Sequence, residues 1–188
     1  MKYLIVGLGN PGAEYENTRH NIGFKILDGF LNKDDSFEAC KHGSRFDFSF
    51  KSRKIILLKP NTFMNLSGKA VKYWMIKEKV NLDNLLIVTD DIALPFGAVR
   101  LRPKGSDGGH NGLKDINQVL SNNNYPRLRI GVGSDFERGR QVDYVLGNWS
   151  QEQDNDLNSL INDSIQVIKS FCSIGIEYTM TNLNRNKL

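Results

Sequence analysis

The sequence predicts an α/β sandwich built on a mixed sheet. Short runs at 3–7, 46–50, 54–58, 85–90, 98–102 and 127–132 are rich in β-branched and aromatic residues and bounded by Gly, Pro or Asn. They alternate with helix-like segments at 21–31, 66–79, 112–120 and 151–171. The 188 residues, 39% hydrophobic and 24% charged, suffice for one substantial core. No internal repeat, low-complexity tract or linker rich in Pro, Ser and Gly divides them, so residues 1–188 read as a single domain.

The first strand, Tyr3-Leu4-Ile5-Val6, flows into Gly7, Gly9 and Gly12 at the G-x-G-x-x-G spacing of a dinucleotide-binding fingerprint. In such a fingerprint the helix starts inside the glycine run, so that its amides meet a pyrophosphate, and a second parallel strand follows. Here Pro11 removes one of those amides, and AEYENTRH carries no helical stripe, so the first helix is expected to begin near Asn21, with Ile22, Ile26, Leu27 and Phe30 on one face. The strands at 46–50 and 54–58 are joined by the short SRK turn and read as an antiparallel hairpin rather than a βαβ unit. A nucleotide-dependent oxidoreductase is therefore disfavoured. The glycines are expected to bend the chain and present Asn10 at the carboxyl end of the strand, where open α/β sheets place their sites. The second helix carries Val71, Trp74 and Met75, with Val80 close by.

Charge and cysteine usage narrow the class. Lys and Arg number 25 against 21 Asp and Glu, a net charge of +4 that mildly favours polyanionic partners. The basic charge is local: Arg100, Arg102 and Lys104 alternate in AVRLRPKG, whereas Glu152, Asp154, Asp156 and Asp163 crowd the carboxy-terminal segment. Cys40 and Cys172 lie far apart with no C-x-x-C pairing and read as reduced thiols. Cys40-Lys41-His42 could form half a metal site, but no second half is found, so no metal is expected. No apolar run reaches the roughly 20 residues needed to cross a bilayer, and the opening run is too short for a signal-peptide core. A cytoplasmic protein that does not enter the membrane is the expectation.

Four polar clusters are costly or awkward unless used. In Thr18-Arg19-His20-Asn21, His20 stands at the entry to an amphipathic helix, as a structural histidine or as a general base whose ordinary pKa of about 6.5 suits neutral pH. In KPNTFMNLSGKAV, Asn65 or Ser67 is expected to cap the helix that follows, which leaves Phe63-Met64 unexplained. LLIVTDDIALP delivers Asp90 and Asp91 to the end of an apolar strand, where one of them could orient an imidazole. RPKGSDGGHNGLKDI makes a glycine-rich loop ending at His110-Asn111. It is either a mobile loop with an Asn cap or, flanked by Arg100, Arg102 and Lys104, a phosphate-binding one.

GLGNPGAEYENTRHNIGF, KPNTFMNLSGKAV, DDIALPFG, GGHNGLKDI, RLRIGVG and DYVLGNW, in that order and at those separations, resemble the bacterial peptidyl-tRNA hydrolases from Met1 to about Trp149. The resemblance implies a monomeric α/β fold with a twisted mixed sheet flanked by helices, no metal or cofactor, and hydrolysis of the ester joining a peptide to the terminal ribose of tRNA. By position, His20 resembles the base that activates water, Asp90 the group that holds its imidazole, and Asn10 the residue that tells a blocked peptidyl amide from a free amino group. Tyr15, Phe63, Asn65 and Asn111 are implied around the peptide and terminal adenosine, with Met64 packing nearby and His110 in support.

Two departures concern the loops: Ala93 stands where the family often carries an acid, and Asp107 adds a negative charge to a loop usually left neutral. Alternation in the strand at 98–102 puts Arg100, Arg102 and, if the strand continues past Pro103, Lys104 on one face, where they could meet a line of tRNA phosphates. A non-catalytic RNA-binding module would need that basic face but neither His20 nor Asp90.

Overall fold

A computed structural model describes residues 1–185; the last three residues of the expected domain, 186–188, lie outside the described residues. β1 (Lys2–Gly7) is buried from Tyr3 onward on both faces, because β4 (Arg53–Pro60) and β5 (Leu85–Asp91) pair with it in parallel on either side and helices cover the sheet above and below. Tyr3 and Ile5 enter one hydrophobic cluster, Leu4 and Val6 the other. The mixed seven-stranded order is β2-β3-β4-β1-β5-β7-β6, with β2 at Glu38–Cys40, β3 at Gly43–Phe50, β6 at Val99–Arg102 and β7 at Arg127–Gly131. β7 is parallel to β5, whereas β2, β3 and β6 run antiparallel to their neighbours.

One face is covered by α1 (Ile22–Asp28), α5 (Gln151–Ile174) and α6 (Ile176–Arg185), the other by α2 (Ser67–Glu78) and α3 (Asn111–Leu120). A short helix, α4 (Gln141–Val145), precedes α5. The chain leaves β1 for β4 on one side, then crosses β1 through α2 to reach β5 on the other. The carboxyl edge of β1 is thus the switch point at which open α/β sheets form a crevice.

The glycine run serves packing. A Cβ on Gly7 would lie 2.3 Å from the Gly23 carbonyl oxygen, and one on Gly23 would lie 2.5 Å from the Leu8 backbone, so the pair lets α1 rest directly on β1. After Gly12 the chain makes two 3-10 turns, Ala13–Tyr15 and Arg19–Asn21, before α1 begins. β3 and β4 form the expected hairpin, with Lys51 and Ser52 both at positive φ, 47° and 61°, as a two-residue turn matched to strand twist requires.

Several expectations are corrected. Neither Asn65 nor Ser67 caps α2: a 3-10 turn, Met64–Leu66, runs straight into the helix, Ser67 is its first residue, and its Oγ donates to the Met64 carbonyl at 2.8 Å. The Gly68 N–H instead finds its acceptor across the helix pair, in Asp115 of α3 at 2.7 Å. Asn111 likewise does not cap α3; His110 does. β6 stops at Arg102, so Pro103 ends it and Lys104 is off the strand. β2, α4 and α6 were not expected: β2 and α4 span only three and five residues, and α6 carries its apolar stripe, Ile176, Met180 and Leu183, within an otherwise polar ten-residue segment.

Candidate active site

Asp90 sits near the carboxyl end of β5 with its side chain 2% exposed, a burial that a carboxylate tolerates only with partners. It has two. His20, in the turn before α1, holds Nδ1 3.0 and 2.9 Å from the two carboxylate oxygens. His110 places Nε2 2.9 Å from Asp90 Oδ1 and 2.8 Å from Thr89 Oγ1. The His110 Nδ1 accepts from the Gly112 and Leu113 amides at 3.1 and 3.3 Å, so the ring proton belongs on Nε2 and is donated to Asp90. One carboxylate therefore accepts from both imidazoles, whose ring centres lie 4.9 Å apart. With Nδ1 of His20 tied to Asp90, the lone pair left for chemistry is on Nε2.

The electrostatics follow from the same contacts. Burial alone would raise the Asp90 pKa, but the charges and hydrogen bonds of His20 and His110 outweigh it and hold the carboxyl far below the ordinary range. For His20, burial opposes the imidazolium, yet the Asp90 charge and hydrogen bond prevail and lift its pKa above the ordinary 6.5. His20, Asp90 and His110 also form a set whose ligand atoms lie within 4.8 Å of one another, the spacing a cation site needs, but those atoms are engaged by one another's hydrogen bonds.

Asn10 lies beyond β1, 7% exposed. Its side-chain Oδ1 accepts from the Met64 N–H at 2.7 Å, tying the first loop to the turn before α2. Met64 is buried beneath that turn, whereas Asn65 and Asn111 are exposed at the amino ends of α2 and α3. Phe63, 54% exposed, meets Tyr15 edge-on at 6.4 Å between ring centres. Asp91 does not join the histidines. It pairs with Arg129 and accepts from the Ala93 N–H, which shapes the turn at Ala93. Asp107 accepts from the Gly109 N–H at 2.9 Å, so the extra charge closes a turn within the glycine-rich loop. Arg100 is exposed on the edge strand, and Arg102 and Lys104 border a separate depression of about 210 Å³ together with Arg127 and Arg129.

Residues 4–188 match the family described as peptidyl-tRNA hydrolase. The chain belongs to the peptidyl-tRNA hydrolase family. Curated peptidyl-tRNA hydrolases from Bacteroides fragilis and Cytophaga hutchinsonii are 53% and 51% identical, over 98% and 100% of this chain and 100% of each relative. The crystal structure of peptidyl-tRNA hydrolase from Acinetobacter baumannii superposes with a TM-score of 0.89 at 32% identity, covering 97% of this chain and 94% of that one.

In this peptidyl-tRNA hydrolase the sequence reading missed three supports. The Asn21 side chain grips the Asn10 main chain from both sides, accepting from its N–H and donating to its carbonyl, each at 2.9 Å. Arg19, next to His20, is buried under α4. It donates to the Tyr144 carbonyl at 3.1 Å and to Gln153 at 2.9 Å, and its guanidinium lies 4.2 Å from the Tyr144 ring centre. Arg127, fully buried, donates to the carbonyls of Ser106 and Asn123 and so anchors the glycine-rich loop. An arginine beside a candidate base, and another amid the apolar strand RLRIG, were the available signals.

Proposed function

We propose that this peptidyl-tRNA hydrolase cleaves the ester between the peptide and the terminal ribose of tRNA with His20 as general base, oriented by Asp90. The observation that carries the reading is the bond from His20 Nδ1 to a buried carboxylate, which leaves Nε2 as the basic atom. A water hydrogen-bonded to Nε2 loses its proton as its oxygen attacks the ester carbonyl. Asp90 stabilises the imidazolium so formed, which then returns the proton to the departing ribose oxygen. His110 positions Asp90 rather than the substrate. Asn10 selects N-blocked substrates, while Asn65 and Asn111 offer amide donors from the rim.

Phe63 and Tyr15 supply an exposed aromatic edge on which the terminal adenine can stack, with Met64 packed beneath. Arg100, Arg102 and Lys104 meet tRNA phosphates at the far end of the sheet. The enzyme works as a monomer in the cytoplasm, where its substrate is made; no helix among the described residues is long and apolar enough to cross a membrane. The test is release of free tRNA from N-acetylaminoacyl-tRNA, with the unblocked aminoacyl-tRNA as control. Fast hydrolysis of the first and slow hydrolysis of the second are expected; equal rates would contradict the assignment.

A further inference from the structure

α2 carries a basic face that the proposed chemistry leaves unused. Lys69, Lys72, Tyr73, Ile76 and Lys77 recur at the three- and four-residue spacing that puts side chains on one side of a helix, while Ala70, Val71 and Trp74 are buried against the core. The turn between β2 and β3 adds to that face. Trp74 donates from Nε1 to the Lys41 carbonyl at 2.8 Å, which seats the turn against α2. The Lys41 and Lys77 ammonium nitrogens then lie 4.8 and 5.6 Å from the centre of the Tyr73 ring, and the His42 ring meets it edge-on at 5.3 Å.

Lysines on an exposed helix are by default a solvated surface. Two observations distinguish this one. The first is that its charge is not compensated. Glu78 is engaged by Lys2 at 3.0 Å and Arg45 at 2.6 Å, Asp47 by Arg45 and Lys54, and Asp115 by the Gly68 N–H, while Glu38 stands at the far end of β2, opposite Arg45. Among the described residues Lys41, Lys69, Lys72 and Lys77 pair with no carboxylate. His42 registers the result: partial burial lowers its pKa below the ordinary value, and the positive charges of Lys69 and Lys41 lower it further.

The second observation is its place. Gly43 pairs with Pro60, so the Lys41-His42 turn lies at the carboxyl end of β4, on the edge of the sheet that carries Asn10 and Asp90. The Asn61 N–H donates to the His42 carbonyl at 3.1 Å, and the exposed Phe63 follows two residues on. From that rim the face leads away along α2, over about 12 Å between Lys69 and Lys77 at the helical rise. The β6 arginines stand on the opposite edge strand.

We infer that the basic face formed by α2 and the β2–β3 turn, with Lys41, Lys69 and Lys77 as its main cations, binds backbone phosphates of the substrate tRNA on the side of the terminal adenosine away from β6. This goes beyond the proposed role of the β6 arginines and rests on the seat proposed for the adenosine at Phe63 and Tyr15. A polyanion anchored by its last base at that rim meets an uncompensated row of cations beside it. Lys72 contributes less, because it also donates to the Val119 carbonyl at 3.3 Å, at the end of α3.

The test compares the wild type with a variant combining Lys41→Gln, Lys69→Gln and Lys77→Gln, and with the matching triple Lys→Arg variant, after thermal unfolding has shown all three to be folded. The substrates are N-acetylphenylalanyl-tRNA and N-acetylphenylalanyl-adenosine, which lacks the phosphates. The Gln variant should flatten the plot of log KM for the tRNA substrate against log salt by about two units, at roughly 0.7–0.9 per lysine, and raise that KM by at least about tenfold at low salt. Its kcat, and its hydrolysis of the adenosine substrate, should stay within about twofold of the wild type. The Arg variant should behave as the wild type. An unaltered salt slope for the tRNA substrate would show a merely solvated face and overturn the inference. Equal damage to both substrates, or an Arg variant as impaired as the Gln one, would show that the lysines act through packing on Tyr73 and overturn it equally. If the Gln variant keeps its slope for tRNA but binds oligouridylate less tightly, the face serves another RNA and the inference fails. Failure of the adenosine reading would look different, as a Phe63→Ala enzyme that hydrolyses the adenosine substrate as well as the wild type does.

Discussion

His20 and Asp90 are coupled by a buried hydrogen bond, and on the proposed mechanism that coupling has a signed consequence for pH. A general base works only when neutral, so activity should fall as pH drops through the His20 pKa, which Asp90 lifts above the ordinary 6.5. Asp90→Asn removes the charge that lifts it and leaves the burial that lowers it. The acid limb of kcat/KM should therefore move to lower pH even as turnover falls; a pH profile with the limb unmoved would show that Asp90 does not set the base. Asn10→Ala is a separate matter. It should lower the ratio of blocked to unblocked hydrolysis by at least about tenfold if Asn10 is the selecting side chain proposed above. An unchanged ratio would remove Asn10 from selection. His20, Asp90 and Asn10 stood out in the sequence because each is a polar residue placed where an apolar strand or stripe begins or ends. Asn21 did not, since an asparagine at the start of a helix looks like a cap. Only the fold shows that its side chain reaches back to Asn10.

At the scale of elements, the strands at 3–7, 54–58 and 85–90 were legible because complete burial leaves continuous apolar runs. The three-residue β2, the five-residue α4 and the polar α6 were not, because their places depend on distant partners. α4 illustrates this. Its tether is Arg19, reached across the fold through the Tyr144 carbonyl, the Tyr144 ring and Gln153, with the Tyr144 hydroxyl donating to Val132 at 2.7 Å. Arg19→Ala loses two hydrogen bonds and a ring contact in a buried setting, so urea unfolding should show a cost of about 2–4 kcal/mol. A change below about 0.5 kcal/mol would mean that α4 is held by other contacts.

Across the whole molecule, Met64 and Asn10 lie beyond the carboxyl ends of β4 and β1, and Asp90 sits near that of β5, whereas the arginines of β6 stand on the far edge strand and recede from that line, Arg100 level with Thr89 and Arg102 with Ile87. If the arginines dock the tRNA body as proposed, this layout separates docking from chemistry at the ester. Replacing Arg100 and Arg102 together should flatten the plot of log affinity against log salt by between one and two units, at roughly 0.7–0.9 per phosphate contact. The loss should appear in KM for full-length peptidyl-tRNA and spare a minimal peptidyl-adenosine substrate. Equal damage to both would show the edge strand to be structural.

The most direct measurement of the central claim is the pH dependence of single-turnover hydrolysis of N-acetylaminoacyl-tRNA by the wild type and by His20→Ala, with folding of both checked by circular dichroism. If His20 is the base, the variant should be slower by about 10² to 10⁴ near neutral pH and should lose the acid limb that the wild type shows. A folded His20→Ala enzyme with near-normal turnover and the same acid limb would contradict the account.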